Sequence, residues 1–406
     1  MIIFAAMQFS EVIGHKEVKE QLVQMVKQNR LSHCLLFLGK EGTGGLPMAL
    51  AFSQYIACTS SKGEHPGASL FGEAPATKTI EANDSCGVCP SCIKASKLVH
   101  PDIHYSYPLI TKKPGEKPIA TDFINPWREF ASGSPYGNEF DWLQLIGAEN
   151  KQGNITAAEC NDINRKLNLK AFEGDYKILI MWMPERLGKE GNKLLKLIEE
   201  PPPDTIFLLV AEDEDAILPT ILSRTQLVKI PAYTINEIEH ALISRASVDP
   251  EKARQVAGVS EGNYREALQL LHHAEEDWLG MTKEWLKYIS RGQVADELKW
   301  IDEVGKLGRE KQKQFLRYFI HLVEQAVRVG VIDEAHLSAL QMGENELDFA
   351  VRFNKLCSIE AEEAIINELN KAVYYIERNA HPKMLFHALT IRLYYIIKEN
   401  ALILVQ

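Results

Sequence analysis

Eight residues constrain this fold most: Gly39-Lys40-Glu41-Gly42-Thr43-Gly44-Gly45-Leu46. Gly39 and Gly44 supply the G-x-x-x-x-G skeleton of a phosphate-binding loop. The apolar run Leu35–Leu38 precedes it and the helix-like run Met48–Phe52 follows. Strand, glycine turn and helix is the setting such a loop requires. A loop that cleaves a nucleotide continues with Lys, which neutralises the β- and γ-phosphates, and then Ser or Thr, which holds Mg²⁺. Gly45 and Leu46 stand in those two places. Pro47 comes next and is tolerated because first-turn amides have no helical partner. The expectation is a P-loop-type α/β protein whose main charge contacts to nucleotide are gone. A chance glycine-rich turn is the alternative, and the rest of the chain argues against it.

Four more apolar runs read as buried strands: Ile103–Tyr107, Tyr176–Met181, Ile206–Val210 and Leu227–Ile230. They alternate with helical patterns, which predicts a parallel five-stranded sheet covered on both faces. In a P-loop ATPase the strand ending at Met181 would be followed by a metal-coordinating Asp. Here Trp182-Met183-Pro184 follow, and Glu185 lies too far along to replace it. The cation, the hydroxyl and the acid are therefore missing together. Upstream, Ser10, Ile13 and Gly14 form a tight lead-in that wraps adenine in a P-loop ATPase, or is a plain edge segment.

Cys86, Cys89 and Cys92 form a C-x₂-C-x₂-C cluster, three thiols in one tight turn. That spacing predicts a tetrahedral Zn²⁺ site, structural rather than catalytic if a fourth Cys completes it. Cys58 is the natural fourth ligand and His65 its rival. A redox dithiol is the other use of C-x-x-C. Residues 59–85 read as an inserted loop rich in Gly, Pro and Ser, affordable because closure entropy grows slowly with length. Residues 108–150 read as a second insertion, partly helical. Its aromatics (Phe123, Trp127, Phe130, Tyr136, Phe140, Trp142) suit a small local core, with a docking surface as the alternative.

Beyond Pro231 the pattern is helical. A small helical domain closes near Gly280. Stripes such as Leu316/Phe319/Ile320/Val323/Val327, Ile365/Ile366/Leu369/Val373/Ile376 and Leu385/Leu389/Leu393/Ile396 then predict a bundle core. The 406 residues suffice for two or three domains. A net charge of −10 argues against gripping DNA over a wide surface alone, so protein partners are expected. No apolar run has membrane-spanning length and the start lacks a signal-peptide pattern, so the expected location is the cytoplasm, with no membrane partner.

These pieces together resemble the delta-prime subunits of the bacterial DNA polymerase III clamp loader, non-ATPase members of the AAA+ class. The resemblance rests on Val12-Ile13-Gly14-His15, Leu31-Ser32-His33, the stripped loop (Gly39, Gly42, Gly44, Gly45, Leu46), Cys58 with Cys86/Cys89/Cys92, His100-Pro101-Asp102, Asn192–Pro202, Ser223-Arg224 and Gly262-Asn263-Tyr264-Arg265. The run from Asn192 to Pro202 is the most specific, and the helical tail adds little beyond Asn379-Ala380-His381-Pro382. The resemblance implies a P-loop-like domain over 1–231, with a zinc module over about 58–104 and the insertion over about 108–150. A helical lid over 232–280 and a helical collar over 281–406 follow. It further implies a hetero-pentamer with a delta-type and three gamma/tau-type ATPase subunits, which opens a sliding clamp and loads it on primed DNA. This chain would be the non-hydrolysing stator, with structural Zn²⁺ and no ATP expected in its own site. Arg224, with Ser223, would serve a neighbour's ATP in trans, although the family's Ser-Arg-Cys reads Ser223-Arg224-Thr225 here. Arg265 matches the sensor-2 position, which touches nucleotide in an ATPase; beside a stripped loop, structural ion pairs are expected instead. Two alternatives stay open: an active gamma/tau-like ATPase, and a zinc-ribbon nucleic-acid binder, which the acidic balance counts against.

Overall fold

The computed structural model describes residues 8–59, 83–111, 115, 117–148, 151–272, 277–291, 294–332, 344–378 and 380–399. The chain divides into two compact units, Met1–Gln269 and Leu270–Gln406. His65, most of the 59–85 insertion and Asn379 lie outside the described residues.

The first unit runs α1 (Lys16–Lys27), β1 (Cys34–Leu38), α2 (Gly45–Ala57), α3 (Pro90–Ser96), β2 (Ile103–Ser106), α4 (Ile124–Gly133), α5 (Glu139–Leu145), α6 (Ala157–Leu167), β3 (Lys177–Trp182), α7 (Asn192–Glu199), β4 (Thr205–Ala211), α8 (Pro219–Leu222), β5 (Gln226–Lys229), α9 (Ile235–Ala246), α10 (Pro250–Val259) and α11 (Tyr264–His272). The strands form one parallel sheet in the order β2-β3-β4-β1-β5. This is the P-loop-type α/β arrangement the sequence predicts. The connection from β1 to α2 carries the glycine loop at the carboxyl edge of the sheet, where open α/β sheets bind ligands.

Successive residues alternate between two covered faces, so the central strands β1, β3 and β4 are buried almost throughout, whereas the edge strand β5 buries only Val228. Leu35, Phe37, Ile178, Ile180, Trp182, Ile206, Leu208 and Val210 point to one face, packed with α2 residues Met48, Leu50, Phe52 and Tyr55. Leu36, Leu179, Met181, Phe207 and Leu209 point to the other, with Ile163 and Leu167 of α6 and Leu194, Leu197 and Ile198 of α7. The aromatics of the 108–150 insertion do not form a separate core, and they are not a docking surface. Phe123, Trp127, Phe130 and Trp142 are buried in the core of the first face. Trp127 stacks on Tyr107 with centroids 4.1 Å apart and lies 5.5 Å from Trp182. Such ring pairs add about 1 kcal/mol each beyond area burial. The insertion is thus welded to the sheet.

The second unit comprises α12 (Trp278–Arg291), α13 (Val294–Lys306), α14 (Arg309–Val331), α15 (Glu344–Asn354), α16 (Ile359–Glu377) and α17 (Pro382–Glu399). Its core joins Phe319 and Val323 of α14 to Ile365 and Leu369 of α16 and Leu389 and Leu393 of α17, as the stripes predict. Trp285 and Trp300 stack at 4.6 Å within it. Among the described residues, no helix is long and apolar enough to cross a membrane.

Candidate functional site

Gly44 caps α2 at φ +92° and Gly42 sits at φ +72°, conformations that favour glycine. The loop is pinned at its base by the Gly39 amide, which donates to the Ala211 carbonyl at 3.1 Å. Thr43 Oγ1 donates to the Lys40 carbonyl at 2.7 Å, so the loop's one hydroxyl is spent on the backbone. Leu46 is buried in the core of the sheet's first face. A Cβ at Gly45 would lie 3.2 Å from Val210 Cγ1, so a Lys there has a crowded root. The helix begins at Gly45, so Pro47 falls in its first turn and forfeits no helical hydrogen bond.

The mouth of the loop is filled by the chain itself. A Cβ on Gly42 would overlap the Asn263 side-chain oxygen, and one on Gly44 would overlap Tyr233 Oη. The Tyr264 amide donates to the Gly42 carbonyl at 3.2 Å. His15, at φ +54°, stacks on Tyr233 at 4.5 Å and its Nε2 lies 2.7 Å from the Thr43 carbonyl. Tyr136, from the insertion, lies edge-on to Tyr264 at 5.1 Å. Its hydroxyl accepts the Ile13 amide at 3.1 Å, on the lead-in segment.

Arg265 is only 4% exposed. Its Nε and Nη2 donate to the two Asp141 carboxylate oxygens at 2.5 and 2.7 Å, and Nη1 donates to Glu41 Oε1 at 2.8 Å. These are the structural ion pairs the sequence leads one to expect of Arg265. Further acids crowd the same edge. Glu185 Oε1 accepts the amides of Glu212 at 2.6 Å and Asp213 at 3.0 Å, which closes the end of β4, and its Oε2 is buried without a hydrogen-bond partner. Burial raises its carboxyl above the ordinary value against those hydrogen bonds. Glu212 is also pushed up, by desolvation first and then by the Glu41 and Glu185 charges. Acids thus gather at this edge of the sheet, and position 45 offers no cation among them.

Arg224 follows α8, away from any hydrogen bond to these acids. Its Nη1 donates to the Thr220 carbonyl at 2.8 Å and to Ser223 Oγ at 3.1 Å, and Nη2 pairs with Glu199 at 3.2 Å. The side chain is about one-third exposed, at 32%. Thr225, where the family motif has Cys, returns its hydroxyl to the Leu222 carbonyl at 3.0 Å and so closes the same turn.

The four cysteines converge. Cys58 caps the C-terminus of α2, Cys89 caps the N-terminus of α3, and Cys86 and Cys92 flank Cys89. All four sulfurs lie within 4.8 Å of one another. At a Zn–S distance of about 2.3 Å a tetrahedron has edges of about 3.8 Å, and Cys86 and Cys92 have sulfurs 3.9 Å apart. Backbone amides reach the sulfurs: Cys86 N to Cys58, Cys89 N to Cys86 and Cys92 N to Cys89, at 3.4, 3.3 and 3.4 Å. Hydrogen bonding with Cys58 and with each other pushes the Cys89 thiol down and the Cys92 thiol up. Four sulfurs this close cannot all ionise without a cation. None is in a disulfide. The donor set and spacing fit a bound metal ion, whereas a single redox C-x-x-C pair would leave the other two converging thiols unexplained. The module is tied to neighbouring segments by Asp84, which accepts the Phe9 and Ser10 amides at 2.9 Å each, and by Asp102, which accepts the amides of Phe172, Glu173 and Gly174.

Sequence reasoning singled out the loop, the cysteines, Arg224 and Arg265. It did not foresee which side chains meet around the loop: Asn263, Tyr233, Tyr136 and His15 pack against it, and Asp141 with Glu41 holds Arg265. The one local signal is Asn138 with Asp141, a capping-box spacing that starts α5 and aims Asp141.

Residues 14–234 match the family model described as DNA polymerase III, delta subunit. The chain belongs to this family. It is 26% identical over 259 residues to DNA polymerase III subunit delta' of Bacillus subtilis, covering 64% of this chain and 59% of that one. It is 22% identical over 421 residues to the tau subunit of the same organism, covering 96% of this chain and 62% of the relative. The chain thus spans about three fifths of the length of these relatives. A gamma-subunit-related protein of Thermotoga maritima aligns over 92% of this chain and 98% of its own, at 15% identity and a TM-score of 0.38.

Proposed function

We propose that this chain is the delta-prime-type, non-hydrolysing subunit of a DNA polymerase III clamp loader. It would join gamma/tau-type ATPases and a delta-type subunit in a hetero-pentamer that places a sliding clamp on primed DNA. The observation that carries this is the pocket: Gly45 and Leu46 replace Lys and Ser/Thr, and Arg265 is committed to Asp141 and Glu41. In this role residues 1–231, 232–280 and 281–406 act as P-loop-like domain, lid and collar. Exposed Tyr374, Tyr375, Tyr394 and Tyr395 on the last two helices offer apolar area for partner subunits. The Cys58/Cys86/Cys89/Cys92 set holds structural Zn²⁺, which folds the module and takes no part in chemistry.

Arg224, with Ser223, acts on the ATP of the adjacent subunit. A guanidinium near the γ-phosphate offsets charge that builds in the transition state. Its partial exposure and its weak pairing with Glu199 leave it able to turn outward, since exposed ion pairs contribute about 1 kcal/mol or less. The test is DNA-stimulated ATP hydrolysis by the reconstituted loader carrying Arg224→Ala. A lowered rate supports the assignment, and an unchanged rate removes it.

The match to a tau subunit extends over 96% of this chain, which is what supports the active-ATPase alternative. Turnover of Mg·ATP by the isolated chain would favour it.

A further inference from the structure

The 108–150 insertion does more than enlarge the core. Its segment from Tyr136 to Asp141 reaches three parts of the pocket that a nucleotide would otherwise bring together. Tyr136 takes the Ile13 amide of the lead-in segment. Its ring also lies 3.2 Å from where a Cβ of Gly44 would stand, over the loop. On the lid side it packs edge-on to Tyr264 and 6.5 Å from Tyr233. Asp141 then grips Arg265 with both oxygens. A guanidinium fork accepts carboxylate and phosphate in the same bidentate geometry, so a carboxylate can stand where a phosphate would.

We propose that residues 134–145 are an internal ligand: Tyr136 and Asp141 occupy the nucleotide pocket and fasten residues 232–269 to the loop permanently. This rests on the reading of the pocket as a nucleotide site without its chemistry. The pieces are placed for the task by their own local structure. Asn138 accepts the Asp141 amide at 3.1 Å and Asp141 Oδ2 accepts the Asn138 amide at 3.1 Å, which fixes the start of α5. Trp142, one residue on, is buried and donates to the Pro108 carbonyl at 2.7 Å, which anchors the segment to the sheet side. The Arg265 contact to Asp141 spans 124 residues of sequence, so it closes the lid from outside the lid's own segment. Where an ATPase lid responds to ATP and ADP, this lid would be held in one position by a covalently attached occupant.

The test is hydrogen exchange of the full-length chain, comparing wild type, Asp141→Asn and Tyr136→Ala/Asp141→Asn. In wild type, amides of α9–α11 should exchange at the same rate with and without Mg·ATP. In both variants these amides and those of residues 39–46 should exchange about tenfold faster or more, while β1 and β4 keep wild-type protection. Asp141→Glu should restore much of the slow exchange. Protection of β1 and β4 reports whether each variant is folded; if the double variant fails that check, the isosteric Asp141→Asn decides. Wild-type exchange in the lid of a folded Asp141→Asn chain would overturn the proposal, as would lid exchange in wild type that slows on adding Mg·ATP. ATP turnover by the wild-type chain would remove the non-hydrolysing reading and the occupied pocket with it, whereas wild-type lid exchange in folded Asp141→Asn without any turnover would overturn the proposal alone.

Discussion

The first unit contains two places built to surround a ligand, and they have opposite fates. At the cysteine cluster every donor is present: four sulfurs converge, and backbone amides are aimed at three of them. At the glycine loop the backbone cradle is kept, but the lysine, the hydroxyl and the acid are replaced and the space is taken by protein. A cradle of backbone is therefore poor evidence of binding. What decides is whether the side chains around it offer the charge the ligand needs, or are already spent on one another.

The comparison can be broken most directly at the metal. Cys89→Ser should abolish stoichiometric zinc, and with it several kcal/mol of stability, since structural zinc binding is folding free energy on the order of 10 kcal/mol. Metal analysis together with a thermal melt checks both. A protein with one zinc per chain after that substitution, or with none before it, would contradict the four-cysteine assignment. Next is the arginine that remains outside the filled pocket. Under the proposed role, Arg224→Ala should cost about 10³-fold at the neighbouring ATP site, read as single-turnover hydrolysis in the assembled loader. The same change should leave this chain's own melting temperature nearly unaltered.

A third experiment concerns a buried acid that has no cation beside it, unlike the Asp141 and Glu41 carboxylates paired with Arg265. Glu362 in α16 supplies the contrast: it is fully buried and both its oxygens lack a hydrogen-bond partner. Burial raises its carboxyl from 4.5 to about 7. Because the folded form holds the proton more tightly, its contribution is full below about 4.5. Stability then falls as pH rises toward about 7 and levels off beyond it. The slope should be on the order of 1 kcal/mol per pH unit. Denaturation of Glu362→Gln should lack that slope; a variant as pH-dependent as wild type would show that the slope comes from other groups. The smallest effect expected is none at all. Gly45→Lys with Leu46→Thr should not create ATP turnover, because Val210 crowds position 45 and the Tyr136 and Asp141 side chains still fill the mouth.

Much of this was legible in the residues. Strand ends were placed to within one residue or so, because fully apolar runs bounded by turns have few other uses in a covered parallel sheet. The four cysteines were legible from spacing, and the absence of Lys, Ser/Thr and Asp was legible by position. The filling of the pocket was not. Tyr136 and Asp141 stand in a stretch whose aromatics suggested a self-contained core, yet Trp127 and Trp142 pack with Tyr107 and Trp182 beside the sheet. No local periodicity reports which distant arginine an aspartate will meet, and the Asp141–Arg265 pair is long-range in just this sense. The two compact units divide at Gln269, within the 232–280 span expected for the lid.

The measurement closest to the central claim is calorimetric titration of the purified, full-length chain with Mg·ATP, paired with a phosphate-release assay on the same sample. A pocket occupied by its own tyrosine and aspartate should give no saturable heat and no phosphate above buffer. Stoichiometric binding followed by turnover would show that the cradle still works as an ATPase and would contradict the account.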